Sequence, residues 1–468
     1  MISYDKFYQQ LYRIFSQDPQ LDSIPLEEIL DFIPTVDRLK DVPEGTTVLV
    51  RVDLDMPVVD GKVVDLSRIK ANSPTIKYCS EQGWKVVLFG HLGRDKNISV
   101  IPVCEGYTEE IGKDIELISD WMNEAQVKLL DQVISKVAVA KPGAVFMLEN
   151  TREYNIERAL WNASEDSFLD ICDKMYSLAI DFRERLTEIE INEAIAASNF
   201  DFSSSVLPLV MSKTVLGFYI SEEMKKHIKG ARQANMLVIS GLKINKLDDL
   251  EAILERRKVK WIIAAGSLAM ALKKAHAQLG GGDFCIGQAE TNETKKFYIP
   301  HDRIEQGKRI VQRCREDEVE LVLPVDFVLD NGEIAKEIPH DRVQFDVGPE
   351  TRELLLKKVS EYIYKSKQSS EPFTMFYNGV FGKFEDSRYE VGTREFISLL
   401  RTMTQAGIST YVGGGEGRLA LLKYGSISDV THAFTAGGTI LKSLSDRHIP
   451  FLKAMYLQNK AAKLTKKN

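Results

Sequence analysis

The chain has few cysteines, no excess of basic residues and no long hydrophobic run. Its five cysteines are spread over 468 residues without a C-x-x-C pair, which excludes the common zinc modules and argues against a secreted disulfide framework. With 61 basic and 68 acidic residues the net charge is −7, so the overall charge favours neither nucleic acid nor an anionic membrane as a partner. The longest apolar stretch, residues 261–272, is too short and too broken to cross a bilayer.

The N-terminal segment does not have the pattern of a secretory signal peptide. The first residues, MISYDKFYQQLYRIF, have neither the basic start nor the continuous apolar core of a signal peptide. We therefore expect a reduced, soluble, cytoplasmic protein that binds neither nucleic acid nor a membrane. The length is about three times that of a typical domain, which predicts two domains.

Short apolar runs rich in β-branched residues recur along the chain in two series. The first comprises TTVLVRVDLD, GWKVVLFGHLG and GAVFMLENTR, and the second comprises NMLVISGLK, KWIIAAGSL, VELVLPVDFV, FTMFYNGVFG, STYVGGGEG and VTHAFTAGG. Continuous apolar strands separated by helix-like segments are typical of parallel sheets built from βαβ units. The pattern predicts an α/β fold with two doubly wound, Rossmann-like parallel-sheet domains.

The spacing of these runs also predicts the domain boundaries. Residues 1–45 form a helical extension, residues 46–206 the N-terminal domain and residues 229–440 the C-terminal domain. The apolar spacing of VLPLVMSKTVLGFYISEEMKKH predicts one long connecting helix over residues 207–228. The charge-rich segment 153–190 is predicted to be helical and peripheral.

Basic and acidic side chains follow the strands of the first series where each strand ends. Because the carboxyl ends of parallel strands meet at one sheet edge, the arginines among them predict a site for a polyanion, which guanidinium groups bind in bidentate fashion. The alternative is that each arginine is an isolated surface residue or the ion-pair partner of a nearby acid. The residues concerned are Arg51, Asp53, Asp55, Arg68, His91, Arg94 and Arg152.

Glycines stand where the strands of the second series turn into helices. Small residues let backbone amides approach phosphate groups at helix N-termini. Five such turns in one domain predict a nucleotide site, whereas one alone would indicate only a tight turn. No Walker motif and no dominant G-x-G-x-x-G is present, so neither a P-loop enzyme nor a standard dehydrogenase is indicated.

Eight motifs resemble those of the phosphoglycerate kinase family, in the family's order, along nearly the whole chain after about residue 45. RVDLDMP resembles RVDFNVP, GHLGR resembles SHLGR, LENTREY resembles LENVRFY and LVLPVDFVLD resembles LLPVDVVVA. FDVGPETREL resembles the D-I-G-P-x-T segment, YNGVFGKFE resembles WNGPMGVFE, YVGGGEG resembles IGGGD(S/T) and THAFTAGG resembles HxSTGGG.

The resemblance implies a fold and an activity. It implies a monomer of two Rossmann-like domains joined by a helix, with residues 441–468 as a tail that returns to the N-terminal domain. It further implies that the N-terminal domain binds 3-phosphoglycerate and that the C-terminal domain binds ATP or ADP with Mg²⁺. Hinge closure would then let phosphate pass reversibly between ATP and the substrate carboxylate, giving an acyl phosphate.

The resemblance also implies roles for individual residues. The seven strand-end residues above would bind the substrate, Arg68 and Lys243 would be catalytic, and Glu416 would stand for the family's magnesium-binding aspartate. The nucleotide-binding residues would be Gly241, Lys243, Gly266, Asn378, Glu385, Gly413, Gly414, Gly415, Glu416, Gly437 and Gly438.

Two departures from the family pattern remove positive charge. Asn199 and Phe200 stand where the family has His-Arg, and losing that charge-assisted phosphate contact costs about 1.5–3 kcal/mol. Leu247 replaces the second phosphate-binding lysine. Lys246 is adjacent to it, but a shift of one residue on a helix turns the side chain by about 100°.

These departures leave two alternatives beside the phosphoglycerate kinase activity. The chain could be a kinase of a different small carboxylic acid, which Phe200 suggests. It could instead be a catalytically impaired family member that acts as a binding or regulatory protein, which Leu247 suggests. A nucleic-acid or structural module has little support, because basic and aromatic residues are not interleaved.

Overall fold

The computed structural model describes residues 2–195, 199–445 and 449–465, which contain two compact units. One unit holds the chain up to Lys226 together with the C-terminal helix, and the second begins at His227. The α-helices are α1 Tyr4–Phe15, α2 Pro19–Asp22, α3 Leu26–Phe32, α4 Ser67–Glu81, α5 Ile101–Ile111, α6 Asp131–Val139, α7 Glu165–Asp181, α8 Phe218–Glu222, α9 Lys229–Ala231, α10 Lys246–Glu255, α11 Gly266–Leu279, α12 Gln288–Thr291, α13 His301–Glu316, α14 Pro349–Gln368, α15 Val391–Gln405, α16 Gly415–Tyr424, α17 Gly438–Leu444 and α18 Pro450–Thr465.

Each unit contains one six-stranded sheet in which every neighbouring pair of strands is parallel. The strands are β1 Thr47–Arg51, β2 Lys85–Phe89, β3 Ile115–Ile118, β4 Val145–Leu148, β5 Ile189–Asn192, β6 Lys213–Leu216, β7 Met236–Ile239, β8 Trp261–Ala264, β9 Glu320–Val322, β10 Thr374–Asn378, β11 Ser409–Gly413 and β12 His432–Ala433. The order is β6-β5-β1-β2-β4-β3 in the first sheet and β9-β8-β7-β10-β11-β12 in the second. This arrangement confirms the predicted α/β fold with two doubly wound domains.

Smaller elements complete the two units. The second unit has a three-stranded antiparallel sheet, and the first has two short hairpins. The antiparallel sheet comprises Phe327–Leu329, Ile334–Ala335 and Gln344–Val347, and the hairpins comprise Val58–Val59 with Lys62–Val63 and Met122–Asn123 with Lys128–Leu129. The 3₁₀ and π segments are Val36–Leu39, Thr151–Glu153, Asn155–Arg158, Phe182–Leu186, Phe202–Val206, Leu207–Leu209, Glu223–Ile228 and Ile427–Asp429.

The alternation in β1 places its apolar residues in the core of the first unit. Val48, Val50, Val52 and Leu54 are buried in one hydrophobic cluster with residues of α4 and α5. Arg51 therefore points to the opposite side of the sheet, where a strand with period-2 alternation puts its polar residues. None of the described helices is both long enough and apolar enough to cross a membrane.

The prediction of one connecting helix over residues 207–228 is wrong in its first part. Only a 3₁₀ turn, Leu207–Leu209, is helical there, residues Lys213–Leu216 form strand β6, which pairs in parallel with β5, and the α-helix begins at Phe218. Its start is set by Glu193, whose carboxylate accepts the backbone N–H groups of Tyr219 at 3.1 Å and Ile220 at 3.0 Å. A carboxylate at a helix N-terminus satisfies donors that have no partner within the helix.

The segment 153–190 was predicted to be helical and peripheral, and it is so only in part. Helix α7 lies within it, but the segment ends in the buried strand β5, which pairs with β1 and β6. The sequence of β5, IEIN, alternates apolar and polar residues and resembles an exposed edge. Its burial comes from pairing with strands that are distant in sequence, which local patterns do not encode.

The N-terminal extension packs within the first unit. Helix α1 buries Phe7, Leu11 and Ile14, and the ring of Phe15 lies 4.6 Å from that of Phe168 in α7. Helix α18 holds α3 through Tyr456, whose hydroxyl donates to Glu28 at 3.3 Å. The two ends of the chain thus contact each other, and the extension contributes to the stability of this unit.

Glu190 of β5 carries a buried carboxyl group whose ionisation destabilises the fold. It is 1% exposed, and neither carboxylate oxygen has a hydrogen-bond partner among the described residues. Burial raises the pKa of Glu190 well above its usual value, against the opposing effect of Arg51. Because the unfolded chain releases this proton near pH 4.5, the folded state loses stability as the pH rises from there.

We expect Glu190→Gln to unfold at higher urea concentration than the wild type at pH 8, by at least about 1 kcal/mol. At pH 5 the two proteins should differ less, because this pH lies only slightly above the value near 4.5 at which the unfolded chain releases the proton, so little of the stability has yet been lost. Urea titrations at pH 5, 6.5 and 8 measure the difference, with the exposed Glu109→Gln as control. A difference that does not grow with pH would contradict the expectation.

Candidate functional site

The carboxyl end of β1 is organised by Arg51, a guanidinium group that is 1% exposed. Its Nε donates to Ser203 Oγ at 2.8 Å, its Nη1 to the carbonyl of Val52 at 2.6 Å, and its Nη2 to His91 Nδ1 at 2.8 Å. All three nitrogens are therefore used within the protein. Arg51 therefore joins the ends of β1 and β2 to the segment around Ser203 and fixes the position of these strand ends.

Arg68 connects α4 to the same strand end. Its Nη1 donates to Asp53 Oδ1 at 2.9 Å and also to the backbone carbonyl of Asp55. Nearby carboxylates, Asp53 first, raise the pKa of Arg68. No described residue accepts a hydrogen bond from its Nε or Nη2, so part of the guanidinium faces the surface with donors to spare.

Arg152 and Arg94 complete the basic group. Nη1 of Arg152 donates to the carbonyl of Gly93, and its guanidinium lies 5.2 Å from the ring centre of Trp161. Arg94 is exposed. Asp55 accepts the N–H of Gly93 at 3.0 Å, which ties the β1 and β2 loops together. The structure thus brings all seven predicted residues to one sheet edge, as a network in which acids already neutralise part of the positive charge.

Three buried residues behind this network form a polar cluster. One ligand atom each of His91, Glu157 and Asp201 lies within 4.8 Å of the others. Burial, followed by Arg51, lowers the pKa of His91 well below its usual value, so the ring is neutral. Since a guanidinium can only donate, Nδ1 of His91 is the acceptor for Arg51.

This cluster has the chemistry of a structural network rather than of a metal centre. The lone pair of His91 Nδ1 is occupied by Arg51, and Glu157 Oε1 already accepts from Ser203 at 2.6 Å and Thr151 at 3.0 Å. A cation would have to displace a guanidinium, which like charge disfavours. Burial raises the pKa of Glu157 to about 7, with Asp201 adding to the shift.

Sequence reasoning missed four residues of this site, namely Glu157, Trp161, Asp201 and Ser203. Trp161 Nε1 donates to Asp201 Oδ1 at 2.9 Å, and Ser203 bonds both Arg51 and Glu157. Glu157 and Trp161 belong to the segment that was predicted to be peripheral. A signal for Asp201 existed, because it follows directly on Phe200, where the chain departs from the family pattern.

Phe200 contributes an aromatic ring where the family has an arginine. Its ring centre lies 6.4 Å from that of Phe15, the last residue of α1. Phe15 in turn packs against Phe168 of α7. The three rings form an apolar cluster next to Asp201, which bonds to Trp161.

The second unit holds a cavity of about 440 Å³ beside the carboxyl ends of β7 and β8. Among the predicted nucleotide-binding residues, Gly241, Gly266, Glu385 and Glu416 line it. Most of the wall is apolar, a composition that suits a flat heterocyclic base in a ligand-sized cleft. The apolar lining residues, which sequence reasoning did not identify, include Met270, Ile286, Phe297, Val343, Phe345 and Phe381.

Glycine at the ends of β7, β8 and β10 allows the loops to touch. A Cβ atom at Gly266 would lie 2.7 Å from the carbonyl oxygen of Gly241, and one at Gly379 would lie 2.2 Å from that of Ser240. Both glycines have positive φ, 62° and 110°. Only glycine allows both the close contact with a neighbouring carbonyl and the positive φ without strain.

Asn378 contacts the glycine loop that follows β11, which in turn contacts the loop that follows β12. Its Nδ2 donates to the carbonyl of Gly413 at 3.0 Å, and a Cβ atom at Gly414 would lie 3.0 Å from the same nitrogen. At Gly437 a Cβ atom would lie 3.1 Å from the Cα of Gly414, so these two loops are in contact. Gly415 and Gly438 begin helices α16 and α17 and have open space around them.

Charged side chains lie at one end of the cavity. Glu416 is exposed in the first turn of α16, and Lys243 is exposed beyond Gly241. Lys246, the first residue of α10, reaches back and donates to the carbonyl of Ser240, while Leu247 is completely buried. Burial lowers the pKa of Lys246 to about 8, although Glu416 opposes the shift.

Two parallel sheets, one with an arginine group and the other with a glycine-lined cavity at its strand ends, define a two-domain α/β protein of the doubly wound class. Comparison with known proteins agrees with this class. The family model described as phosphoglycerate kinase matches residues 39–447. The chain belongs to the phosphoglycerate kinase family, as its motifs predicted.

Relatives and solved structures match along most of the chain. The phosphoglycerate kinase of Fervidobacterium nodosum is 28% identical over 433 residues, which cover 88% of this chain and 96% of the relative. That of Thermosipho africanus is 28% identical over 426 residues, covering 87% and 94%. The phosphoglycerate kinase structure from Pyrococcus horikoshii shares the fold with a TM-score of 0.69 at 24% identity, covering 90% of this chain and 99% of that one.

The close contact of the β7 and β10 loops gives a direct test of the cavity. We expect Gly379→Ala to lower the free energy of unfolding by about 1–3 kcal/mol or more, because the alanine would adopt a strained φ and collide with Ser240. Urea denaturation measures the loss. Gly282→Ala, which has ordinary φ and meets only ordinary contact, serves as control. Equal stability of the two variants would show that the loops separate freely.

Proposed function

We propose that this protein transfers a phosphoryl group reversibly between ATP and the carboxylate of 3-phosphoglycerate, giving an acyl phosphate. The observation that carries the proposal is the pairing, in one family member, of the arginine network in the first unit with the glycine-lined cavity in the second. Family membership supports the kinase class. We further propose that the enzyme is a cytoplasmic monomer whose domains close about a hinge.

The arginine network would bind and orient the acid. Arg68 would use its free Nε and Nη2 donors on the substrate carboxylate, while Asp53 and the carbonyl of Asp55 hold its other nitrogen. Arg94 and Arg152 would contact the rest of the anion, and Arg51 would hold the strand ends in place through Ser203 and His91. Fixing one edge of Arg68 before the substrate arrives reduces the entropy lost on binding.

The cavity of the second unit would bind ATP or ADP. Its apolar wall would hold the base, Glu385 would contact the ribose, and the amides at Gly414–Gly415 and Gly437–Gly438 would face the phosphates at helix starts. Glu416 fits Mg²⁺, because its carboxylate is a hard oxygen ligand that is exposed at the cavity edge. Mg²⁺ bound with the nucleotide supplies neutralisation of phosphate charge.

A second candidate is a kinase of a small carboxylic acid without the phosphate. Phe200 contacts Phe15, so the border of the basic network at this point is apolar. Asp201, next to it, keeps its carboxylate buried against Trp161 and adds no positive charge. An acid with a neutral or apolar substituent would suit this border better than a phosphate would.

The Arg68→Ala variant tests the proposed phosphotransfer. With MgATP and 3-phosphoglycerate we expect its kcat to fall at least about a hundredfold, because a donor to the transferring group is lost. A coupled assay of ADP release measures turnover, and Lys70→Ala, an exposed residue two positions further on α4, should retain activity. Wild-type turnover that persists undiminished in Arg68→Ala would overturn the proposed role. Nucleotide binding without turnover of any acid would favour the binding or regulatory alternative.

Phe200→Arg separates the two candidate substrates. If 3-phosphoglycerate is the substrate, the new guanidinium should lower its KM about ten- to a hundredfold through a charge-assisted contact. Phe200→Leu controls for loss of the aromatic contact with Phe15. An unchanged KM in Phe200→Arg, together with faster turnover of a phosphate-free acid by the wild type, would replace the first candidate with the second.

A further inference from the structure

Arg158 is an arginine that the sequence motifs did not identify and that reaches the basic network of the first unit. It is the last residue of the 3₁₀ segment Asn155–Arg158 and is half-buried. Its Nη1 donates to the backbone carbonyl of Arg94 at 3.0 Å. Arg158 therefore contacts the loop after β2, which carries one of the predicted substrate-binding arginines.

Two arginines hold this loop in the same way. Nη1 of Arg152 donates to the carbonyl of Gly93. Nη1 of Arg158 donates to the next carbonyl along the chain, that of Arg94. Both guanidinium groups also lie over the ring of Trp161, at 5.2 Å and 6.0 Å from its centre. Consecutive carbonyls and one shared indole thus keep Arg152 and Arg158 close together.

No ion pair neutralises the charge of these two arginines. Within residues 2–195, 199–445 and 449–465, neither Arg152 nor Arg158 forms a salt bridge. Nε of Arg152 is buried without a hydrogen-bond partner, and Arg158 uses only one of its three nitrogens. A guanidinium group has five N–H donors, so most of those of Arg158 remain free. Two such groups side by side are best balanced by an anion with several acceptor oxygens.

The two arginines lie near the position at which the family has a further arginine. Trp161, which both guanidinium groups contact, donates to Asp201 Oδ1 at 2.9 Å, and Asp201 follows directly on Phe200. Burial raises the pKa of Asp201, and nearby arginines, Arg158 among them, oppose that shift. The positive charge of Arg158 is therefore felt next to Phe200, where the family's charge is missing.

We propose that Arg158 binds the phosphate group of the acid substrate and supplies the guanidinium group that Phe200 does not. The inference rests on the proposed substrate site of the first unit and deepens it, because it selects a phosphorylated carboxylic acid over an acid without phosphate. Arg94 and Arg152 share the phosphate with Arg158, and the bonds to the β2 loop hold the three residues in place. The apolar ring of Phe200 is then compatible with 3-phosphoglycerate.

Calorimetric titration of 3-phosphoglycerate and of glycerate, which lacks only the phosphate, tests the proposal. We expect Arg158→Met to bind 3-phosphoglycerate about ten- to a hundredfold more weakly than the wild type, because a charge-assisted contact is lost. Glycerate should bind both proteins equally, and Arg158→Lys, which keeps the charge, should lose less affinity. Arg38→Met removes an exposed arginine of the same unit and serves as the matched control, with wild-type affinity for both acids.

The double variant Arg158→Met with Phe200→Arg separates the charge of Arg158 from its hold on the loop. It returns a guanidinium group to the site but does not restore the bond to the carbonyl of Arg94. We therefore expect it to recover most of the lost affinity for 3-phosphoglycerate. No recovery would overturn the proposal, because Arg158 would then act only by holding the loop after β2.

Two further results would overturn the role of Arg158. One is wild-type affinity of Arg158→Met for 3-phosphoglycerate, and the other is a wild type that binds glycerate as tightly as 3-phosphoglycerate. Because binding is measured without nucleotide, the result does not depend on turnover. If the wild type bound neither acid, the proposed substrate site itself would fall.

Discussion

The first unit depends on a guanidinium group that is buried and bonded on all three nitrogens. Arg51 joins the ends of β1 and β2 to the segment that carries Ser203, and through Ser203 it is linked to Glu157. A buried charge is tolerated only when its donors are satisfied and acids lie close by. The acids that meet this demand also reduce the positive charge that a substrate would encounter. The stability of the strand ends and the strength of the proposed anion site are therefore opposed in this unit.

The second unit depends on close approach between loops rather than on buried charge. Gly266 packs on Gly241, and Gly379 packs on Ser240, at distances that no side chain allows. The ammonium group of Lys246, the first residue of α10, lies in the space that side chains at Gly241 and Gly379 would otherwise fill. One steric constraint thus determines both the shape of the cavity and the place of its buried cation. The apolar wall and the charged end of the cavity correspond to the base and the phosphates of the proposed nucleotide ligand.

Much of the fold could be predicted from local pattern, and the exceptions share one cause. All six strands of the second sheet correspond to apolar runs in the sequence, as do β1, β2 and β4 of the first. The three strands that were not predicted lie at the end of a charge-rich segment, within a segment predicted to be one helix, and in the short run Ile115–Ile118. Strand β5 alternates apolar and polar residues, and strand β6 follows a turn that contains proline. Their pairing depends on partners far away in the chain, and a window of neighbouring residues contains no information on those partners.

The sequence by itself determined the α/β class, the family, and the arginine and glycine residues at the strand ends, because the carboxyl end of a parallel strand is visible in local pattern. Only the tertiary structure decided which donors remain free. It showed that Arg51 is fully used inside the protein while Arg68 keeps two nitrogens open. It also showed that the neighbouring residues Lys246 and Leu247 of α10 have different surroundings. Lys246 bonds to the carbonyl of Ser240, whereas Leu247 is buried in the core. The physical reason is that burial and hydrogen-bond satisfaction depend on residues brought together by packing, which sequence spacing does not specify.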